Sequence, residues 1–172
     1  MKSFIIALTL LFAVTAQAQD TKIGYVDLNK ALNESTEGKQ AVKILEELVQ
    51  SKQAAISVQE DQIKKLEEEI TKQSSVLNPE AIKQKKDELE SLVKNYKRTV
   101  KDSQEEVQKK QSEFMEALIK KLRKMVYTMG EKKGYSIIFE RASSGILYIP
   151  AKSDLTEKLI EEYNASTGSS SN

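Results

Sequence analysis

The chain has 172 residues, 31% of them charged and only 6% aromatic, with 27 basic against 26 acidic side chains and a net charge of +1. So even a balance argues against a general polyanion binder such as a DNA-binding protein, and the composition suits long exposed helices better than a compact globule. With no histidine and no cysteine, the usual neutral-pH general base, thiol catalysis and zinc sites built from those ligands are excluded, and no disulfide framework supports the fold.

At the N-terminus Met1 and Lys2 precede an apolar run from Phe4 to Val14, followed by Thr15-Ala16-Gln17-Ala18. Ala16 and Ala18 are the small residues a signal peptidase reads, so residues 1–18 are predicted to be a signal peptide and the exported mature chain to begin at Gln19. The run is shorter than the about 20 apolar residues a bilayer span requires, which weighs against a retained anchor. No later segment reaches that length, so the mature protein is expected to be soluble and exported.

Lys22-Ile23-Gly24-Tyr25-Val26-Asp27-Leu28 reads as a short strand, with Ile23 and Tyr25 on one face and Val26 and Leu28 on the other, apolar on both and therefore buried. Asp27 is placed to cap a brief helical turn carrying Leu28, Ala31 and Leu32. The pattern then breaks from Asn33 to Gly38, with Ser35 or Thr36 the expected N-cap of a long helix and Gly38 a candidate hinge.

From Lys39 to Leu77, Val42, Val49, Ile56, Ile63, Ile70 and Leu77 recur every seventh residue, with Leu45 and Leu66 at intervening d-type positions, which is a coiled-coil seam. A second helix from Pro79 to about Lys133 carries Leu89, Val93, Tyr96, Val100, Val107 and Phe114 on one stripe. Between them Asn78 is a good N-cap, Pro79 fits the first helical position and Glu80 favours the positive end of the new dipole, so the chain doubles back there. Lys52, Gln59 and Gln73 fill d-type positions of the first seam, and Lys86, Ser103 and Lys110 fall on the second. Such a hairpin is lean in apolar knobs. It is either an ordinary antiparallel coiled coil with solvated polar faces or a pliable arm that holds something.

At 1.5 Å per residue the first helix should be roughly 55–60 Å long and the second roughly 80 Å. The excess must run past the base of the first helix. It carries Leu118, Leu122, Met125 and Met129 with Ile119 and Val126 alongside, a strip broad enough to need more than one partner, either the chain's own sheet or another subunit. At the far end Lys72, Lys83, Lys85 and Lys86 stand against Glu80, beside Val76 and Leu77. This basic tip is a candidate contact for an acidic client segment or anionic lipid headgroups, or else a solubilising end.

Gly134 is expected to close the second helix. Two β-runs follow, Tyr135 to Arg141 and Ile146 to Ile149, joined by Ala142-Ser143-Ser144-Gly145 in a hairpin and stopped by Pro150. Asp154 caps a last helix, with Glu157 at capping-box distance and Leu155, Leu159, Ile160 and Tyr163 on its apolar side. The tail, residues 165–172, is low-complexity and expected to be disordered.

The fold class is α+β, predominantly α: a helical hairpin arm over residues 39–114, its tip near residues 75–80, on a small β-rich body assembled from residues 19–38 and 115–164. Three short strands expose two edges and little core, so several copies are expected to share the body. The residues expected there are Ile23, Tyr25, Val26, Leu122, Met125, Ile137, Ile138, Phe139, Ile146, Leu147 and Ile149. No GxGxxG, GxxxxGK[ST] or GxSxG motif occurs, and the carboxylates of Glu67-Glu68-Glu69 point to different sides of a helix. Neither catalysis nor a cofactor or metal is expected.

The leader, the segment Lys22 to Ser35 with Gly38-Lys39 (reading KIGYVDLNKALNES and GK), the charged hairpin, and Gly134-Tyr135 to Pro150 with the closing Asp154-Leu155-Thr156 together resemble the OmpH/Skp family of periplasmic chaperones. The likeness covers the mature chain, and its specific part is the YVD to ALNES stretch. It implies a homotrimer whose arms enclose a cavity around unfolded outer-membrane proteins, working without ATP by holding and release. Some members carry a lipopolysaccharide site of basic residues on the arms, for which no residue-by-residue match is made in this sequence. A periplasmic coiled-coil spacer or adaptor is the alternative, although such adaptors usually carry flanking β domains for which this chain has no room.

Overall fold

The computed structural model describes residues 21–168. The predicted signal peptide, the start at Gln19 and residues 169–172 of the tail lie outside them. Strand β1 (Ile23–Val26) is followed by α1 (Leu28–Glu34), α2 (Thr36–Gln73), α3 (Pro79–Lys133), β2 (Ile137–Glu140), a 3₁₀ turn at Ala151–Ser153 and α4 (Thr156–Gly168). The class is predominantly helical with a long hairpin on a small sheet-bearing body.

Local chemistry sets the boundaries. Asp27 caps α1 by accepting from the Lys30 amide at 2.8 Å. Ser35 is extended, with φ −65° and ψ 153°, and breaks the helix in two. Its N–H closes α1 on the Ala31 carbonyl at 3.0 Å, and its Oγ opens α2 by accepting from the Gly38 amide at 3.1 Å. The long helix therefore starts at Thr36 rather than Lys39, and it ends at Gln73 rather than Leu77. Asn78 Oδ1 accepts from the Ala81 amide at 2.8 Å with Pro79 in the first turn, and Gly134 closes α3 in the left-handed conformation at φ 68°. With 38 residues in α2 and 55 in α3, the longer helix overshoots by about 25 Å.

That overshoot is the spine of the body. Leu118, Leu122 and Met129 of α3 pack with Val26, with Leu28 and Ala31 of α1, and with Leu155, Leu159, Ile160 and Tyr163 around α4. Leu122 is wholly buried. The broad apolar strip is thus spent on the chain's own helices, and the core is more helical than the sequence pattern indicated.

The sheet has two strands, parallel, with Ile23 opposite Ile137 and Val26 opposite Glu140. A parallel pair needs a long crossover, and here the whole hairpin provides it. The expected return strand from Ile146 to Ile149 does not form. Glu140 accepts from the Ser143 amide at 2.6 Å and its hydroxyl at 2.7 Å, and Gly145 takes φ 65°. The turn is made, but it leads the chain away from β2, and a strand without a ladder partner is no strand. Across β1 the partner is instead Asp154, in a single bridge, with the Leu155 amide donating to the Tyr25 carbonyl at 2.9 Å.

Two further expectations differ at the C-terminal end. Asp154 Oδ1 caps α4 through the Thr156 amide at 2.9 Å, but Glu157 pairs with Lys30 at 2.5 Å rather than closing a capping box. Residues 165–168, expected to be disordered, continue the helix. The hydroxyls of Ser166 and Thr167 bond back to the Tyr163 carbonyl at 2.7 and 3.2 Å, which satisfies a terminal acceptor.

Candidate functional site

The arm is fastened at its root by a knot of polar contacts. Glu37, in the first turn of α2, receives the Lys121 ammonium at 2.5 Å and the Tyr163 hydroxyl, joining α2, α3 and α4. Burial pushes the Glu37 carboxyl up, but the bonds from Lys121 and Tyr163 outweigh it and hold the group below its ordinary value. Burial, and then the bond to that carboxylate, push the Tyr163 phenol well above the usual tyrosine range. Beside them the Thr36 amide donates to Asn164 Oδ1 at 2.9 Å. The Asp27 amide donates to Thr156 Oγ1 at 2.9 Å, so the sequence segments that carry the family likeness meet at this junction. Gly38 belongs to it as well, since a Cβ there would sit 1.7 Å from the Leu32 carbonyl oxygen. Close approach of α1 and α2 accounts for this glycine, within an unbroken helix, where the sequence had marked a hinge.

Along the arm Leu66 is buried, while Leu45, Ile56, Ile63, Ile70, Leu89, Val93, Tyr96, Val100, Val107 and Phe114 are half-buried. Val42 and Val49, expected in the seam, are about half exposed at 47% and 48%. Both line open grooves against α3, Val49 beside Ser103 and Val42 beside Phe114 and Leu118, so these two valines edge the seam instead of closing it. Of the polar seam positions, Gln73, Lys86 and Lys110 are exposed. Lys52, Gln59 and Ser103 lie between the helices and find partners or space there. Lys52 pairs with Glu106 at 2.6 Å, the Gln59 amide donates to Thr99 at 3.2 Å, and Ser103 is 7% exposed. Gln59 Oε1 is buried without a partner, a local cost that a leucine at that position would not carry.

Where Ser103 replaces a large knob, the helices leave a groove of about 420 Å³, lined among others by Val49, Ile56, Tyr96, Val100 and Val107. The hydroxyl of Tyr96 spans it to donate to Glu60 at 2.6 Å, which raises the phenol's pKa. Sequence periodicity placed Ser103 on the seam, yet a missing volume is visible only once the facing helix is in register.

At the tip Val76 is 83% exposed and Leu77 half-buried, so the turn does present an apolar edge. Its charge is less one-sided than the sequence indicated. Lys72 pairs with Glu68 at 3.4 Å and Lys85 with Glu69 at 2.9 Å, while Lys83 and Lys86 stay exposed. The hydrogen bond from Lys85 holds the Glu69 carboxyl below its ordinary value. Lys72 and Glu68 are neighbours on α2 at i,i+4 spacing, whereas folding back at Asn78 brings Glu69 of α2 beside Lys85 of α3, a pair that linear counting could not make.

The body residues divide in two. Tyr25, Val26 and Leu122 are buried in this chain, and Met125 and Ile138 pack against its core. Ile23 and Ile137 are exposed at the end of the sheet, Phe139, Ile146 and Ile149 are half-buried, and Leu147 is fully exposed beside an exposed Tyr148. The first group is already used by the fold, so only the second is left as apolar surface. Among the described residues no cluster of histidine, cysteine, aspartate or glutamate could hold a metal ion, and no helix is long and apolar enough to cross a membrane.

The family model described as outer membrane protein (OmpH-like) matches residues 22–163. Among solved structures, the chain is similar to a Caulobacter crescentus protein described as an OmpH-like outer membrane chaperone, with a TM-score of 0.78, 14% sequence identity and 84% of each chain covered. At that identity the likeness establishes a shared fold. No curated protein matches the sequence.

Proposed function

Because the chain belongs to the OmpH-like family, we propose that it is a periplasmic holdase that binds unfolded outer-membrane proteins without ATP and keeps them from aggregating in transit. The observation that carries this reading is the contrast along the arm. Its root is tied by Glu37, Lys121, Tyr163 and Asn164, whereas its length is held by half-buried valines and isoleucines interrupted by Lys52, Gln59 and Ser103. A limb that is stiffly mounted and loosely zipped adapts to a client without fixing one geometry. An outer-membrane polypeptide before insertion exposes alternating apolar residues and unpaired backbone, which is what such a limb has to cover.

The same reading takes the protein to be a homotrimer, with the exposed Leu147-Tyr148 segment, Ile23 and Ile137 meeting a neighbouring copy. A segment with turn chemistry before it and proline after it, β-like in sequence yet unpaired in one copy, is suited to complete its ladder on another chain. Export through the predicted signal peptide brings it to the periplasm. The tip, through Val76, Lys83 and Lys86, is the candidate contact with anionic lipid, lipopolysaccharide or an acidic client segment. No catalytic step is invoked.

Dilution of a urea-unfolded outer-membrane barrel protein, with and without this protein, tests the function by light scattering. Aggregation should be suppressed at about one assembly per client. Absence of suppression at excess protein would favour the spacer or adaptor reading.

A further inference from the structure

We propose that the groove beside Ser103 is a seat for one extended stretch of unfolded polypeptide, read through its backbone amides rather than its side chains. This rests on the holdase reading and locates it on the arm. Ile56 and Val100 give the groove apolar walls, and the small, buried Ser103 leaves the space. Its mouth is lined by four glutamines, Gln53, Gln104, Gln108 and Gln111, all exposed. A primary amide both donates and accepts, so it can pair with a peptide N–H or C=O whichever is presented.

Charge points to the same occupant. The charged side chains lining the groove are one cation, Lys52, and one anion, Glu60, the first also paired with Glu106 and the second hydrogen-bonded by Tyr96, so the lining carries no net charge to select a polyanion or a cationic ligand. Spacing agrees as well. Gln104 and Gln108 are one helical turn apart, about 6 Å along α3, while backbone groups on one edge of an extended chain recur every second residue, at roughly 6.7 Å. Two successive amides can therefore meet two successive backbone groups on the same edge.

The test uses the full-length mature protein and three short peptides of alternating valine and threonine: the parent, a scrambled order, and a version N-methylated at every second residue. Scrambling should leave affinity nearly unchanged, whereas methylation, which removes two or more backbone donors, should weaken binding about tenfold. Ser103→Leu should fill the groove, reducing peptide binding and suppression of barrel aggregation while the urea midpoint of the arm does not fall. Gln104→Leu with Gln108→Leu, at exposed positions that leave the packing alone, should do the same. A photo-crosslinker at Gln104 should label the peptide, and one at Lys109, exposed and outside the groove, should not. Equal binding of the methylated peptide overturns recognition through the backbone. Undiminished capture by both variants overturns the groove as the seat while leaving the holdase reading intact, whereas failure of the unaltered protein to hold any client sinks that reading itself. A change in the mass of the native assembly on Ser103→Leu would assign the groove to packing between copies and overturn the proposal.

Discussion

Replacing Gly38 by alanine puts the arm root to a test in which two physical arguments give opposite signs. By helix propensity alone, alanine in place of glycine inside α2 should stabilise the protein by about 1 kcal/mol. The geometry reverses this. The new Cβ would lie 1.7 Å from the Leu32 carbonyl oxygen, 2.9 Å from its carbon and 3.0 Å from Ser35 Oγ, where contacts under 3.0 Å do not persist. The atom met is backbone, so no rotamer relieves it, and α1 and α2 must part by roughly 1.3 Å at a junction that Ser35 holds from both sides. Overpacking of this kind costs about 1–3 kcal/mol, and a backbone clash belongs at the upper end. After the propensity gain, a net loss near 2 kcal/mol should lower the urea midpoint by about 1 M. The assay is a urea titration followed by far-UV circular dichroism at one fixed protomer concentration, because assembly makes midpoints concentration-dependent. Gly130→Ala is the internal control. It too is helical, but its Cβ would meet only Ile138 Cδ1 at an ordinary 3.5 Å, so propensity should prevail and raise the midpoint. If Gly38→Ala matches or exceeds the unaltered protein, the close approach of α1 and α2 is not what that glycine is for.

Three other perturbations separate arm, body and root. Ile63→Asp places a charge in the half-buried seam and should cost the hairpin about 2 kcal/mol or more, with arm amides exchanging faster and the assembly mass unchanged; normal exchange would refute the seam assignment. Leu147→Asp alters a fully exposed residue, so it should leave the protomer folded yet shift sedimentation towards smaller species, and an unshifted assembly would take this segment out of the interface. Ile138 gives a less clean test, since it packs against the chain's own core. At the root, the Tyr163 phenol has a raised folded-state pKa, so its contribution is complete below its ordinary value near pH ~10 and is lost as pH climbs through the raised one. Glu37 is depressed, so its contribution is complete above the carboxylate range near pH ~4 and is lost as pH falls through the lowered value. The melting temperature should therefore decline more steeply between pH 9 and 12 in the unaltered protein than in Tyr163→Phe; parallel profiles would show that the hydroxyl contributes nothing.

Element existence and type were largely legible from the chain because they are local. Asp27, Ser35, Asn78-Pro79 and Gly134 act on backbone groups within one helical turn, and that chemistry is written beside the residues it governs. The candidate site was legible only as a stripe. That Ser103 leaves a groove, that Val42 and Val49 are half exposed, and that Lys85 is paired with Glu69 all depend on how α2 lies against α3. A seven-residue repeat fixes which face is apolar, not how far that face is rotated or which void remains.

The β-runs show the limit most plainly. Tyr135 to Arg141 and Ile146 to Ile149 have similar β-forming sequences, yet Ile137–Glu140 became a strand by pairing with Ile23–Val26 while the other run stayed unpaired. Sequence alone determined the helices, their caps and the doubling back, because each is paid for within a few neighbouring residues. Tertiary structure alone decided the parallel partner of β2, the helical rather than β-rich core, and the binding of Glu37 by Lys121 and Tyr163. Each of those joins residues about a hundred positions apart, and no periodicity along the chain encodes a contact at that distance.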